Sequence, residues 1–439
     1  MPCDVWDGRN HRWRIPVAWL GLLAATGCAT ALKQQPTPSG PPPLEAAGGP
    51  AAPIAPSPSP STSAAPPPAP RSNGAQPIGD RPAWMRSLAL PDLPLRWYPR
   101  VTQYLDQYRN DPRARETVRG WLRRFPAHRA AIEQALARER LPLGLASVAM
   151  VESGFSPSAL SSRGAGGYWQ FIPSVARGYG LEVTFWVDER RDLEKSSAAA
   201  AKYLADLYQR FGSWELALAG YNAGVFAVLE SIIRYNTNDY ATLGRVEAGL
   251  PWETTEYVPK VLAVAIVERN HDAFGIDEPP ADAPRPFDVV SVPPAVSFDR
   301  LAARLGVGSD ELAALNPIYP RRRTPPERGP TPLRVPAGAA ARAGGRALAD
   351  LRPDNLEPVV VRPGETLLRL ARARKLSLAR LRLINTVADD GEVTPGTTIL
   401  VPRAAPARVT SKDKDAVHQV VRPKMATGVA SARKPTTPR

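Results

Sequence analysis

Residues 151–171 read VESGFSPSALSSRGAGGYWQF, and the acid of that stretch, Glu152, closes an apolar run just before a loop of Ser and Gly. Leu145, Val148, Ala149 and Glu152 fall at i, i+3, i+4 and i+7, so on a helix the carboxyl shares the apolar stripe. Pro142 suits the first turn of that helix, and Gly154 and Pro157 end it. Desolvation beside aliphatic groups and the negative end of the helix dipole both disfavour the carboxylate. The expected pKa is above the ordinary ~4.3, as a general acid working near neutral pH requires. The same placement also suits a glutamate that only caps or pairs at a helix end. The loop SSRGAGG favours chemistry, because small residues let backbone approach a ligand closely. It delivers Tyr168, Trp169 and Gln170, which could stack on and hydrogen-bond a sugar, although such aromatics equally serve in a core.

Other chemistries are short of residues. The two cysteines, Cys3 and Cys28, stand within the first thirty positions, and His11, His128, His271 and His418 are far apart. A Cys-based metal site, a disulfide framework or a His-centred triad is not expected in the folded part, and no cofactor is predicted. The net charge of +14 and pI near 10.0 suit attraction to polyanions such as wall polymers or anionic lipid. An Arg-, Ala- and Pro-rich composition explains them as well. The basic residues follow no groove-reading motif, so nucleic acid is not an expected partner.

Several elements must position Glu152. VTQYLDQYRN, ETVRGWLRRF, HRAAIEQALARER and SAAAAKYLADLYQRFG each space apolar residues by three or four, and TTEYVPKVLAVAIVERN, with Pro259 near its start, reads as a last helix. No alternating strand is evident there, so a mostly α-helical domain is expected over 82–285. With 50 prolines, part of the chain must be linker. Arg9, Arg12 and Arg14 precede the apolar IPVAWLGLLAA and the small residues before Cys28, an export signal over 1–28 too short to span a membrane. The Pro-, Ala- and Ser-rich stretch 29–81 cannot bury enough surface to order itself and reads as a tether. Two self-similar units follow, 286–337 and 357–403, separated by the linker 338–356. Each runs strand, two short helices, an Asn, a Pro-containing turn and a second strand. The basic stretch 404–439 reads as a disordered tail.

The motif E-S-x-F-x-P-x-A-x-S with a following G-x-x-Q, then GYNAG at 220–224 and LPWETTEYV at 250–258, resembles the goose-type lysozyme and lytic transglycosylase group. Within that group the chain is most similar to the membrane-bound lytic murein transglycosylase D type. The two C-terminal units resemble LysM domains, the first of them degenerate, and the segment ending at Cys28 resembles a lipoprotein signal. The resemblance implies a mainly α, lysozyme-like catalytic domain of the α+β superfamily followed by small βααβ modules. It implies Glu152 as catalytic acid and base, with Ser161, Gln170, Tyr221, Asn222 and Glu253 as substrate-binding positions, Tyr221 orienting the acid or substrate. Gly220 for Ala and Tyr168 for a smaller aliphatic residue depart from the pattern.

What the resemblance implies for function is non-hydrolytic cleavage of peptidoglycan between N-acetylmuramic acid and N-acetylglucosamine, leaving 1,6-anhydromuramic ends. The partners are glycan strands, held through the LysM-like modules, and a membrane, through lipidation at Cys28, with Ala29 pointing to the outer membrane and the periplasm. An ordinary cleaved signal peptide is the alternative at Cys28, and a monomer is expected. A glycosidase usually needs a second carboxyl. Asp188, Glu189 and Asp192 are candidates, although so dense a charge run reads better as a solvated turn. A hydrolytic muramidase on the same fold and a non-catalytic wall-binding scaffold stay open as alternatives.

Overall fold

The computed structural model describes residues 81–277, 285–343, 351 and 354–403. The stretch read as export signal, Cys28, the tether except residue 81, and all of the basic tail lie outside the described residues. Residues 81–277 form helices α1 (Pro99–Asn110), α2 (Pro112–Arg138), α3 (Ala146–Ser153), α4 (Pro173–Gly178), α5 (Leu193–Phe211), α6 (Trp214–Ala223), α7 (Val225–Tyr235), α8 (Tyr240–Leu243) and α9 (Trp252–Arg269). Extended pairing there, among the described residues, is confined to isolated bridges such as Leu160 with Gly166.

The centre of this domain is α9. Residues Val261 to Val267 are all buried, so the helix is apolar all round, as a helix packed on every side must be. Helices α1, α3 and α6 pack against it, and α5 joins α2 to α6. Two segments expected as separate helices, ETVRGWLRRF and HRAAIEQALARER, are one continuous α2 with Pro126 inside it. Helix α9 also begins earlier than expected, at Trp252, which places Pro259 in its interior. A proline there leaves the carbonyl four residues back without its amide partner. The Tyr240 hydroxyl donates to that carbonyl, of Thr255, at 3.1 Å, so the helix continues through the proline.

The two small modules are built alike. The first has β1 (Phe287–Val292), α10 (Phe298–Leu305), α11 (Ser309–Leu315) and β2 (Thr331–Pro336). Helix α12 (Ala339–Ala343) then occupies part of the stretch read as linker. The second has β3 (Leu356–Val360), α13 (Leu367–Ala373), α14 (Leu378–Asn385) and β4 (Thr398–Pro402). In each, the strands pair antiparallel. The Asn noted in both units ends the second helix and ties it to the second strand. Buried Asn385 donates Nδ2 to the carbonyls of Leu381 and Leu400 and accepts from the Leu400 amide. Asn316 does the same with Leu312 and Arg334. Asn385→Ala strips partners from buried backbone groups, and we expect a loss of about 2–4 kcal/mol in urea unfolding. A loss under about 0.5 kcal/mol would mean the amide is ornamental.

The charge run WVDERRDLEK joins the helical domain to the modules and is not a solvated turn. Asp188, Glu189 and Arg190 are buried. The Arg190 guanidinium binds both Asp188 oxygens, at 2.8 and 2.9 Å, and donates to the Gly164 and Phe171 carbonyls. Just before it, Trp186 packs into the core of the first module and its indole donates to the Thr398 carbonyl of the second at 2.8 Å. The Asp188 amide donates to Ile318. Sequence periodicity cannot show such a junction, because the partners are more than a hundred residues away.

Candidate active site

Glu152 stands in the last turn of α3. Ala146 to Met150 are buried and fix the helix on α9. Gly154 stops it at φ 56°, its amide closing on the Met150 carbonyl. A Cβ at Gly154 would lie 2.4 Å from the Trp121 ring, so both the turn and the space demand glycine. Arg124 of α2 takes the Gly154 carbonyl at 2.6 Å. Phe155 stacks on Phe125 with ring centres 5.3 Å apart, anchoring the chain where it leaves the helix.

The carboxyl itself is partly buried. The Tyr257 hydroxyl of α9 donates to its Oε1 at 2.8 Å. Loss of hydration pushes the Glu152 pKa up to about 7, outweighing the Tyr257 hydrogen bond and the Lys260 ammonium, which pull it down; the Glu253 charge adds a further push upward. The site therefore holds a carboxyl that keeps its proton close to neutral pH while remaining open on one side. Burial lowers the pKa of Lys260 in turn. Because Tyr257 favours the charged form, Tyr257→Phe should move the alkaline limb of any Glu152-dependent activity upward by about one pH unit. An unmoved limb would show that this hydrogen bond does not reach the acid's titration.

Residues 129–243 match the Transglycosylase SLT domain family. Residues 286–346 match the LysM-like domain of lytic transglycosylase MltD, and 359–402 match the LysM domain. Over 302 residues the chain is 30% identical to membrane-bound lytic murein transglycosylase D of Escherichia coli K12, and equally to that of E. coli O6:H1. The alignment covers 65% of this chain and 65% of the relative, so the chain spans about two thirds of the length of the curated relatives it matches. Among solved structures it is similar to the 70 kDa soluble lytic transglycosylase of E. coli, at 25% identity over 33% of this chain and 24% of that one, with a TM-score of 0.27.

The other expected site residues of the helical domain divide into two groups. Tyr221, Asn222 and Glu253 gather where α6 meets the start of α9. Burial raises the phenol pKa of Tyr221 and the nearby Glu152 charge adds to it, yet its hydroxyl donates to the Trp169 carbonyl at 2.7 Å. Among the described residues it is Tyr257, rather than Tyr221, whose hydroxyl donates to Glu152. Asn222 Oδ1 accepts from Thr254 at 2.8 Å, tying α6 to α9. Glu253 is exposed in the first turn of α9, one turn before Tyr257.

Ser161 and Gln170 instead serve the loop. The Ser161 hydroxyl accepts from the Ala165 amide at 3.0 Å, and Gln170 Nε2 donates to the Ala159 and Gly167 carbonyls. Tyr168 and Trp169 are buried, the indole donating to Ser197. Gly166 and Gly167 of this loop approach Arg190: a Cβ at Gly167 would lie 1.9 Å from the Arg190 carbonyl. The candidate second carboxylates are likewise committed. Asp188 is held below the usual carboxylate range by Arg190 and Arg191, against its own burial. Glu189 receives Lys195 at 2.5 Å, and Asp192 caps α5. Tyr257 and Lys260 were missed, although Tyr257 is the Tyr of LPWETTEYV, i+4 from Glu253 on one helix face.

Proposed function

We propose that this protein is a peptidoglycan lytic transglycosylase with Glu152 as both acid and base. The observation that carries the reading is a carboxyl at the end of α3, held through Oε1 by Tyr257 and pushed by burial up to a pKa of about 7. That hydrogen bond leaves Oε2 to carry the proton toward the glycosidic oxygen between N-acetylmuramic acid and N-acetylglucosamine. As the bond breaks, the substrate's own 2-acetamido group stabilises the positive charge at the anomeric carbon. Glu152, now a carboxylate, takes the proton of the muramoyl 6-hydroxyl, whose oxygen closes the 1,6-anhydro ring. Water is not consumed, and the nucleophile is already attached to the reacting sugar, an entropic advantage. Tyr221, Asn222 and Glu253 line the same region and are assigned to substrate binding. Ser161 and Gln170 act through the shape of the loop.

The domain matches and the E. coli relatives support this assignment. The LysM-like modules would hold glycan strands. The signal ending at Cys28 would be processed to a lipid-anchored chain at the outer membrane, facing the periplasm, with the proline-rich tether giving the enzyme reach into the wall.

Glu253 supports one rival, since its carboxylate is near enough to act electrostatically on Glu152. A hydrolytic muramidase would use such a group to activate water. Mass analysis of products from purified sacculi separates the two. Muramic ends one water lighter than the hydrolysed form are expected, and reducing ends would establish the muramidase instead.

A further inference from the structure

The first module leaves one face of its sheet uncovered. On β1 and β2 the inward residues Val290, Val292, Leu333 and Val335 are buried, while Phe287, Val289, Pro332 and Arg334 face outward. The second module differs, for β4 is buried along Thr398 to Val401. The open face of the first lines a cleft of about 660 Å³, which Tyr168 and the start of α5 also line. This cleft contains none of Glu152, Tyr257, Lys260, Asn222 or Glu253. It is nevertheless coupled to them: Ser153, next to Glu152, donates to the Tyr168 carbonyl at 2.7 Å.

Charge decides what the cleft can take. Its cations Arg191, Lys195 and Arg328 already pair with Asp188, Glu189 and Glu182. Arg285 and Arg334 are exposed and have no acidic partner among the described residues. Arg334 lies over the Phe287 ring at 4.8 Å from its centre, and Val289 stands opposite Arg334 in the strand register. Two guanidinium groups without an acidic partner among the described residues, beside an exposed aromatic and a β-branched residue, suit a ligand with carboxylates spaced along an apolar backbone.

We propose that this cleft is a second substrate site, which takes the acidic stem peptide of peptidoglycan while the glycan is cut at Glu152. The ligand class rests on the function proposed above; the site rests on the cleft. Occupied together, the two sites would select strands that carry stems.

The test uses the full mature chain and a synthetic stem tetrapeptide of alternating L and D residues with free carboxylates, its binding read by calorimetry at low salt. Binding is expected for the free-acid peptide and at least tenfold weaker for the same peptide with its carboxylates amidated. Arg334→Glu and Arg285→Glu should each weaken it at least tenfold. Val289→Glu, a surface change that leaves both arginines in place, should weaken it similarly. Equal affinity for the two peptides, or no effect of the three substitutions, would overturn the proposal, as would absence of binding at millimolar peptide. A chain that cuts sacculi but ignores the peptide sinks this site alone. One that binds the peptide by charge but leaves sacculi uncut supports the site and removes the enzymatic reading.

Discussion

Glu152→Gln should reduce release of soluble muropeptides from sacculi by about 10²- to 10⁴-fold or more, the range over which a positioned general acid acts. The amide keeps the shape and can still receive the Tyr257 hydroxyl, so the loss reports the proton and not the fold. Pelleting with sacculi should persist, because the modules are untouched. In the unsubstituted chain the same activity should fall as pH rises through about 7, where the acid loses its proton. Stability should follow with a defined sign. Between the ordinary carboxyl value and about 7, the native state keeps a proton that the unfolded chain has released, so stability declines as pH rises through that window. The glutamine variant escapes the decline. At pH 8 it should be more stable than the parent by about 1–2 kcal/mol, allowing for the side of the carboxyl open to solvent, and at pH 4 the two should coincide. A variant retaining a tenth of parental turnover would remove Glu152 from the chemistry.

Gly167→Ala should be among the most damaging single substitutions away from the acid. The residue has φ +77°, and the added Cβ would meet the Arg190 carbonyl oxygen at 1.9 Å. That carbonyl is backbone, fixed by a side chain bound to Asp188 and to the loop, so it cannot yield cheaply. We expect a loss of about 3–5 kcal/mol, lowering Tm by on the order of 10 °C. Gly180→Ala is the control: its φ is +83° but nothing lies within 4 Å, so it carries only the left-handed strain, about 1–2 kcal/mol. Equal melting of the two variants would show that the close approach to Arg190 is not what the glycine serves.

Local pattern made much of this protein legible. The α3 stripe, its stop at Gly154, and Leu367, Leu370 and Ala371 of α13 follow from 3.6-residue periodicity, and the Asn of each module was visible as a repeat. What sequence could not reveal depends on partners distant along the chain. The run WVDERRDLEK reads as solvated because charges usually are, and only the fold shows Asp188 enclosed between Arg190 and Arg191. The glycine loop reads as a ligand-facing strap because glycine permits any close approach; its partner is Arg190. Pro259 reads as a helix start, since the Tyr240 hydroxyl that lets it sit mid-helix comes from another helix. The aromatics Tyr168 and Trp169 suit core or ligand contact equally by sequence; burial places Trp169 in the core, while Tyr168, largely buried, also edges the cleft beside β1 and β2. Tyr257 stood inside a quoted motif, but its contact with Glu152 spans 105 residues.

The proposed chemistry depends on one carboxyl staying protonated where free glutamates have ionised. Carbon-13 NMR of Glu side chains, with the Glu152 signal assigned by its absence from the glutamine variant, measures this directly. A titration midpoint at about 7 is the result expected, and one near the free-glutamate value of about 4.3 would contradict it.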